Sequence, residues 1–72
     1  MMKDELRLYA LALMATNTTL SVIACACIAR SFEEATGIGI LRAHNEFPVE
    51  DGWSNHQVST VEIIKPLIDK VR

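Results

Sequence analysis

Seventy-two residues allow one domain at most, and a domain of that size buries only about 60% of its unfolded surface, so its own core is thin. Seven Lys and Arg against nine Asp and Glu leave a net charge of −2 with no basic cluster, which argues against nucleic acid as a partner. Half of the residues are hydrophobic, too many for a disordered tail and more than one helix on one sheet can hide, while two cysteines make no disulfide framework.

From Leu8 to Ala29 the chain carries no charge, a stretch about long enough to span a bilayer. Thr16-Asn17-Thr18-Thr19 interrupts it where an amide is costly in hydrocarbon, so a single membrane span is the weaker reading. Val22-Ile23-Ala24-Cys25 resembles a lipoprotein cleavage box, but Asp4 and Glu5 spoil the basic segment an export signal needs. Two strands, about 6–15 and 20–29, fit better: two apolar runs joined by a polar cluster that suits a hairpin, with Asn17 able to take positive φ. Leu6, Leu8, Ala10, Ala12 and Met14 then share one face and Tyr9, Leu11 and Leu13 the other. Val22, Ala24, Ala26 and Ile28 alternate with Ile23, Cys25 and Cys27, so neither face of the hairpin is polar. Alanine is a poor strand former, and helix is the rival over these residues.

Ser31 followed by Glu34 is a capping box, and Glu33 and Glu34 suit the positive end of a helix dipole. The spacing predicts a helix over about 32–46. Its apolar stripe is Phe32, Ala35, Thr36, Gly39, Ile40, Ala43 and Phe47, with Glu33, Glu34, Gly37, His44 and Asn45 roughly opposite. Each glycine inside a helix costs about 1 kcal/mol relative to alanine and should have a reason. Gly39 lies mid-stripe and would let the helix sit close on the sheet; Gly37 lies on the outer side near Ile38 and Leu41. Alternatively the helix stops at Thr36-Gly37 and Ile38–Ala43 forms a short strand.

Pro48 ends the helix, Glu50-Asp51-Gly52 signals a turn, and the β-branched run to Ile64 reads as a third strand over about 56–64. Pro66 opens a short tail helix over about 66–71. The expected class is α+β: a small β-β-α-β domain, with an N-terminal antiparallel hairpin and one helix packed on a three-stranded sheet. Ser31-x-Glu33-Glu34-Ala35, Phe47-Pro48, Glu50-Asp51-Gly52-Trp53, Asn55-His56 and Val58 together resemble a pattern in short single-domain proteins of bacteria and their phages. The resemblance covers about half of the chain. It implies the same element order and brings no chemistry and no catalytic residues with it.

Cys25 and Cys27 would stand about 6.5–7 Å apart on one strand face, at the edge of disulfide reach and badly aimed, and their spacing matches no zinc pattern. They read as small core residues, and neither a metal nor any other cofactor is expected. His44, Glu46, Glu50, Asp51 and His56 are the densest titratable cluster, with Trp53 among them. A ligand pocket at the helix end would use His44, Trp53, Asn55 and His56. In the plainer reading Trp53 packs over the helix end and His56 caps or pairs at the start of the last strand. Acid–base catalysis by the two histidines lacks a nucleophile placed near them, and no phosphate-cradling glycine loop exists. Thr60 and Glu62 read as solvated. On the outward side of the helix, Gly37, Ile38 and Leu41 are interface candidates, because the glycine permits close approach of another backbone.

These points lead to a cytoplasmic, non-enzymatic binding protein that acts as a homo-oligomer, with a protein or small-metabolite target. A phage-type inhibitor or sequestering protein directed at a host system is one form of that expectation. The rivals are a small enzyme built on His44 and His56 and a single-span membrane subunit.

Overall fold

The computed structural model of the chain describes residues 5–64. Along them run β1 (Arg7–Asn17), β2 (Thr19–Ala29), α1 (Phe32–Glu46), a 3-10 turn (Val49–Asp51) and β3 (Ser54–Glu62). This is the β-β-α-β order read from the sequence. The tail helix expected over about 66–71 falls outside the described residues.

β1 and β2 pair antiparallel in unbroken register from Arg7↔Ala29 to Asn17↔Thr19. Both are longer than expected, because Asn17 and Thr19 join the ladder and Thr18 alone makes the turn. The positive φ expected at Asn17 therefore falls on Thr18, at φ 62. Asn17 is employed elsewhere: its Nδ2 donates to the Asp51 carbonyl at 3.0 Å, tying the hairpin tip to the turn after the helix. The uncharged stretch from Leu8 to Ala29 is thus a hairpin, and among the described residues no helix is long and apolar enough to cross a membrane.

β3 pairs antiparallel with β1 on its other side, giving the order β2-β1-β3. β2 and β3 consequently run parallel with β1 between them. α1 is the crossover of a split β-α-β unit and lies over one face of the sheet.

The start of α1 is fixed by its cap. Ser31, extended at φ −152, accepts through Oγ from the Glu34 N–H at 3.1 Å. The Glu34 carboxylate reaches back one residue further than in the usual box and accepts from the Arg30 N–H at 2.8 Å. At the other end the Phe47 N–H bonds to the Ala43 carbonyl at 2.8 Å, and Pro48 follows. The helix runs unbroken through Gly37 and Gly39, so the short-strand alternative does not occur.

Tyr9, Leu11, Leu13 and Ala15 of β1, with Cys27 and Ala29 of β2, form the sheet side of the core. The helix contributes Ala35, Gly39, Ala43 and the Phe47 that follows it, a stripe of small residues four apart. Close approach is what the stripe achieves: a Cβ at Gly39 would lie 2.6 Å from Val58 Cγ1 and 3.5 Å from Leu11 Cδ1. Three expectations about faces need correction. Phe32, at the first helical position and a turn ahead of the first buried contact at Ala35, is 51% exposed. Ile38 is half-buried against the core, since three residues after Ala35 it flanks the buried stripe instead of opposing it. Thr60 shares the helix-facing side with Val58, and its hydroxyl meets that of Thr36 at 2.8 Å.

Candidate functional site

The residues expected to bind a ligand gather where α1 ends and β3 begins. A register shift brings them there. Met14 pairs with Gln57 but Thr16 with Ser54, so Asn55 and His56 together oppose Ala15. Asn55 takes the left-handed conformation, φ 56, that such a bulge needs and that asparagine tolerates better than most residues. The bulge turns His56 beneath the end of the helix. Trp53, just before the strand, lies against Phe47 with ring centroids 4.7 Å apart at 52°. Gly52, at φ 97, makes the preceding turn possible and packs against the Asn17 amide.

His44 and His56 stack, with ring centroids 4.0 Å apart and planes 10° from parallel. His44 Nδ1 contacts the Ile40 carbonyl at 3.0 Å, and His56 Nε2 contacts the Phe47 carbonyl at 2.6 Å. A carbonyl oxygen only accepts, so each of those nitrogens carries its proton and donates. In the neutral rings the nitrogens left over are His44 Nε2 and His56 Nδ1. Their lone pairs lie in two nearly parallel planes and do not converge on one point between the rings. Among the described residues no three His, Cys, Asp or Glu side chains are placed to hold a metal ion. Nor are the histidines tied to the nearby carboxylates: Glu46, Glu50 and Asp51 are exposed, and the ion pairs among the described residues are Arg7–Glu62 and Arg30–Glu34. This corner joins the helix end to β3 through the stacked pair and the His56 contact to the Phe47 carbonyl, while the His44 contact to the Ile40 carbonyl stays within the helix.

Cys25 and Cys27 are both free thiols on the helix-facing side of β2, Cys27 buried. Of the three interface candidates, Gly37 is exposed with nothing within 4 Å of where its Cβ would be. Leu41 is 70% exposed, and Ile38 packs inward. Together they leave one large apolar side chain on the outer helix surface.

A much larger apolar surface lies on the side of the sheet away from α1; its β1 and β2 residues were grouped by face above, but none was proposed as an interface. Ala10 and Ala12 of β1 stand beside Ala26 and Ala24 of β2 and form a shallow floor. Leu8 with Ile28 and Met14 with Val22 close its two ends. Val61, 60% exposed, flanks the floor from β3, where Ser59 and Gln57 continue the row. The signal was present in the sequence as two apolar sides to a hairpin with one helix to cover them.

Arg42 was also missed. From the outer edge of α1 its Nη1 donates to the Ala26 carbonyl at 2.8 Å and lies 3.5 Å from Cys25 Sγ. No spacing rule in the sequence marks a helix arginine that reaches over a strand edge.

Comparison with known proteins returns no matching family model, no similar curated protein and no similar solved structure. The resemblance to short proteins of bacteria and phages adds nothing beyond the element order.

Proposed function

We propose that the chain is a non-enzymatic interaction protein that works as a homo-oligomer and grips a protein or a small metabolite at a subunit junction. The carrying observation is the uncovered side of the sheet: Val22, Ile28 and Val61 are each more than half exposed, side by side with an alanine floor. Soluble monomers seldom present contiguous apolar patches beyond a few hundred Å² without a use for them. An inhibitor or sequestering protein aimed at a host system is the specific form of this reading that the phage-type resemblance suggests. Two unpaired thiols fit a reducing compartment, and the cytoplasm is the proposed location.

Native mass spectrometry of the purified chain tests the proposal. The expected result is a multiple of the 8.0 kDa subunit, with or without a retained small molecule. A bare monomer at tens of micromolar would refute it.

A further inference from the structure

We infer that the occupant of the open sheet side is a second copy of this chain, the two sheets packing face to face with their helices on the outside. This rests on the homo-oligomer reading and adds the surface through which it forms. The surface is suited to meeting itself. From Leu8 to Thr16, Leu20 to Ile28 and Gln57 to Val61, no charged side chain stands on that side, so a two-fold axis across it brings no like charges together. The alanine floor between larger end residues also lets a second sheet approach at or inside the usual spacing of about 10 Å.

Its size is adequate. Two strands of 11 residues and one of 9, at about 3.3 Å per residue and about 4.8 Å between strands, present roughly 500 Å² in projection. Two copies would remove about 1,000 Å² from water, the area at which specific interfaces begin. The outer surface of α1 offers Leu41 among Glu33, Glu34, His44 and Asn45, far too little.

A second copy could instead add a strand at an edge of the sheet, β2 or β3, and at β2 that edge is guarded. The Leu8 carbonyl accepts from the Ile63 N–H at 2.9 Å, so even-numbered residues of β1 direct their backbone groups to β3 and odd-numbered ones to β2. By the same alternation the even-numbered residues of β2 direct theirs outward. In the middle of that row the Ala26 carbonyl is already taken by Arg42. A strand adding there must displace a guanidinium, one of the charged devices that guard sheet edges. The open side meets no such obstacle.

Two variants of the full chain test the inference, Ala24→Lys and Val22→Asp, both at exposed positions that a folded subunit tolerates. Light scattering over a concentration series, with circular dichroism alongside, should show a dimer for the parent chain. Either variant should raise the dissociation constant roughly a hundredfold or more with an unchanged spectrum, since each buries an unpaired charge at the junction. Leu41→Asp should stay dimeric. If Ala24→Lys and Val22→Asp keep the parent's mass, the surface is wrong while the homo-oligomer reading stands; a monomeric parent overturns both. Should a variant lose its native spectrum, Ser59→Cys in a Cys25→Ser, Cys27→Ala background decides, treated with a short bismaleimide. Covalent dimer well above a Leu41→Cys control supports the face-to-face arrangement, and equal yields overturn it.

Discussion

Gly37 and Gly39 stand two residues apart in one helix, and replacing each with alanine should move stability in opposite directions. Both substitutions gain helix propensity, about 0.5–1 kcal/mol. At Gly37 nothing lies within 4 Å of the new methyl, so the gain is kept whole. At Gly39 the methyl would lie 2.6 Å from Val58 Cγ1 and 3.3 Å from Cγ2. Valine is branched at Cβ and stiff about χ1, and with both methyls already facing the glycine no small rotation clears the clash. Either α1 lifts from the sheet or β3 shifts, and overpacking of this kind costs about 1–3 kcal/mol, which outweighs the propensity gain. For a chain this short, 1 kcal/mol corresponds to roughly 4–8 °C in Tm. Gly37→Ala should therefore raise Tm by about 3–7 °C, and Gly39→Ala should lower it by several degrees. The Gly39→Ala, Val58→Ala double variant should be less destabilised than the sum of its parts by more than about 0.5 kcal/mol. Melts followed by circular dichroism at one fixed protein concentration measure the parent, the three single variants including Val58→Ala, and the double variant, because Tm of an associating protein depends on concentration. A Gly39→Ala chain as stable as its parent would mean that α1 does not rest on Val58.

Thr18 is a β-branched residue in the left-handed region, so Thr18→Gly should stabilise the hairpin by about 1 kcal/mol in urea unfolding, and a loss would contradict the turn described. His56→Ala removes the ring that stacks on His44 and donates to the Phe47 carbonyl; it should cost about 1–3 kcal/mol in the same assay yet leave the oligomer's mass unchanged. Arg42→Ala exposes the Ala26 carbonyl at the β2 edge and should shorten the lag of thioflavin-positive aggregation while the dimer persists; identical kinetics would remove the edge-guarding role.

Much of the fold was legible because local signals agreed with one another. Ser31 and Glu34 marked the start of α1, Pro48 marked its end, and the two apolar runs about Thr16–Thr19 announced a hairpin. Gly39 in the stripe of Ala35 and Ala43 foretold close helix–sheet contact. What misled was finer than periodicity resolves. Ile38 lies on the flank of the stripe, where a shift of a few tens of degrees in helix rotation decides between core and solvent. Thr60 depended on the register of β3, and that register depends on a bulge at Asn55 that no residue pattern announces. The candidate site divided along the same line. His44, Trp53 and His56 were picked out by their company in sequence, whereas their partners, the Phe47 ring and the Ile40 and Phe47 carbonyls, follow from packing. The open side of the sheet was visible as a surplus of apolar residues, but its boundaries needed the strand pairing.

The claim on which the account depends is that a second copy shields Val22, Ile28 and Val61. Methyl relaxation in the presence of a soluble nitroxide, recorded at a concentration where the chain is associated, tests it directly. Val22, Ile28 and Val61 are 56%, 62% and 60% exposed in the single subunit, close to Leu41 at 70%, so nothing in the subunit itself distinguishes them. In the associated protein the first three should be protected and Leu41 strongly broadened. Equal broadening of all four would contradict the account.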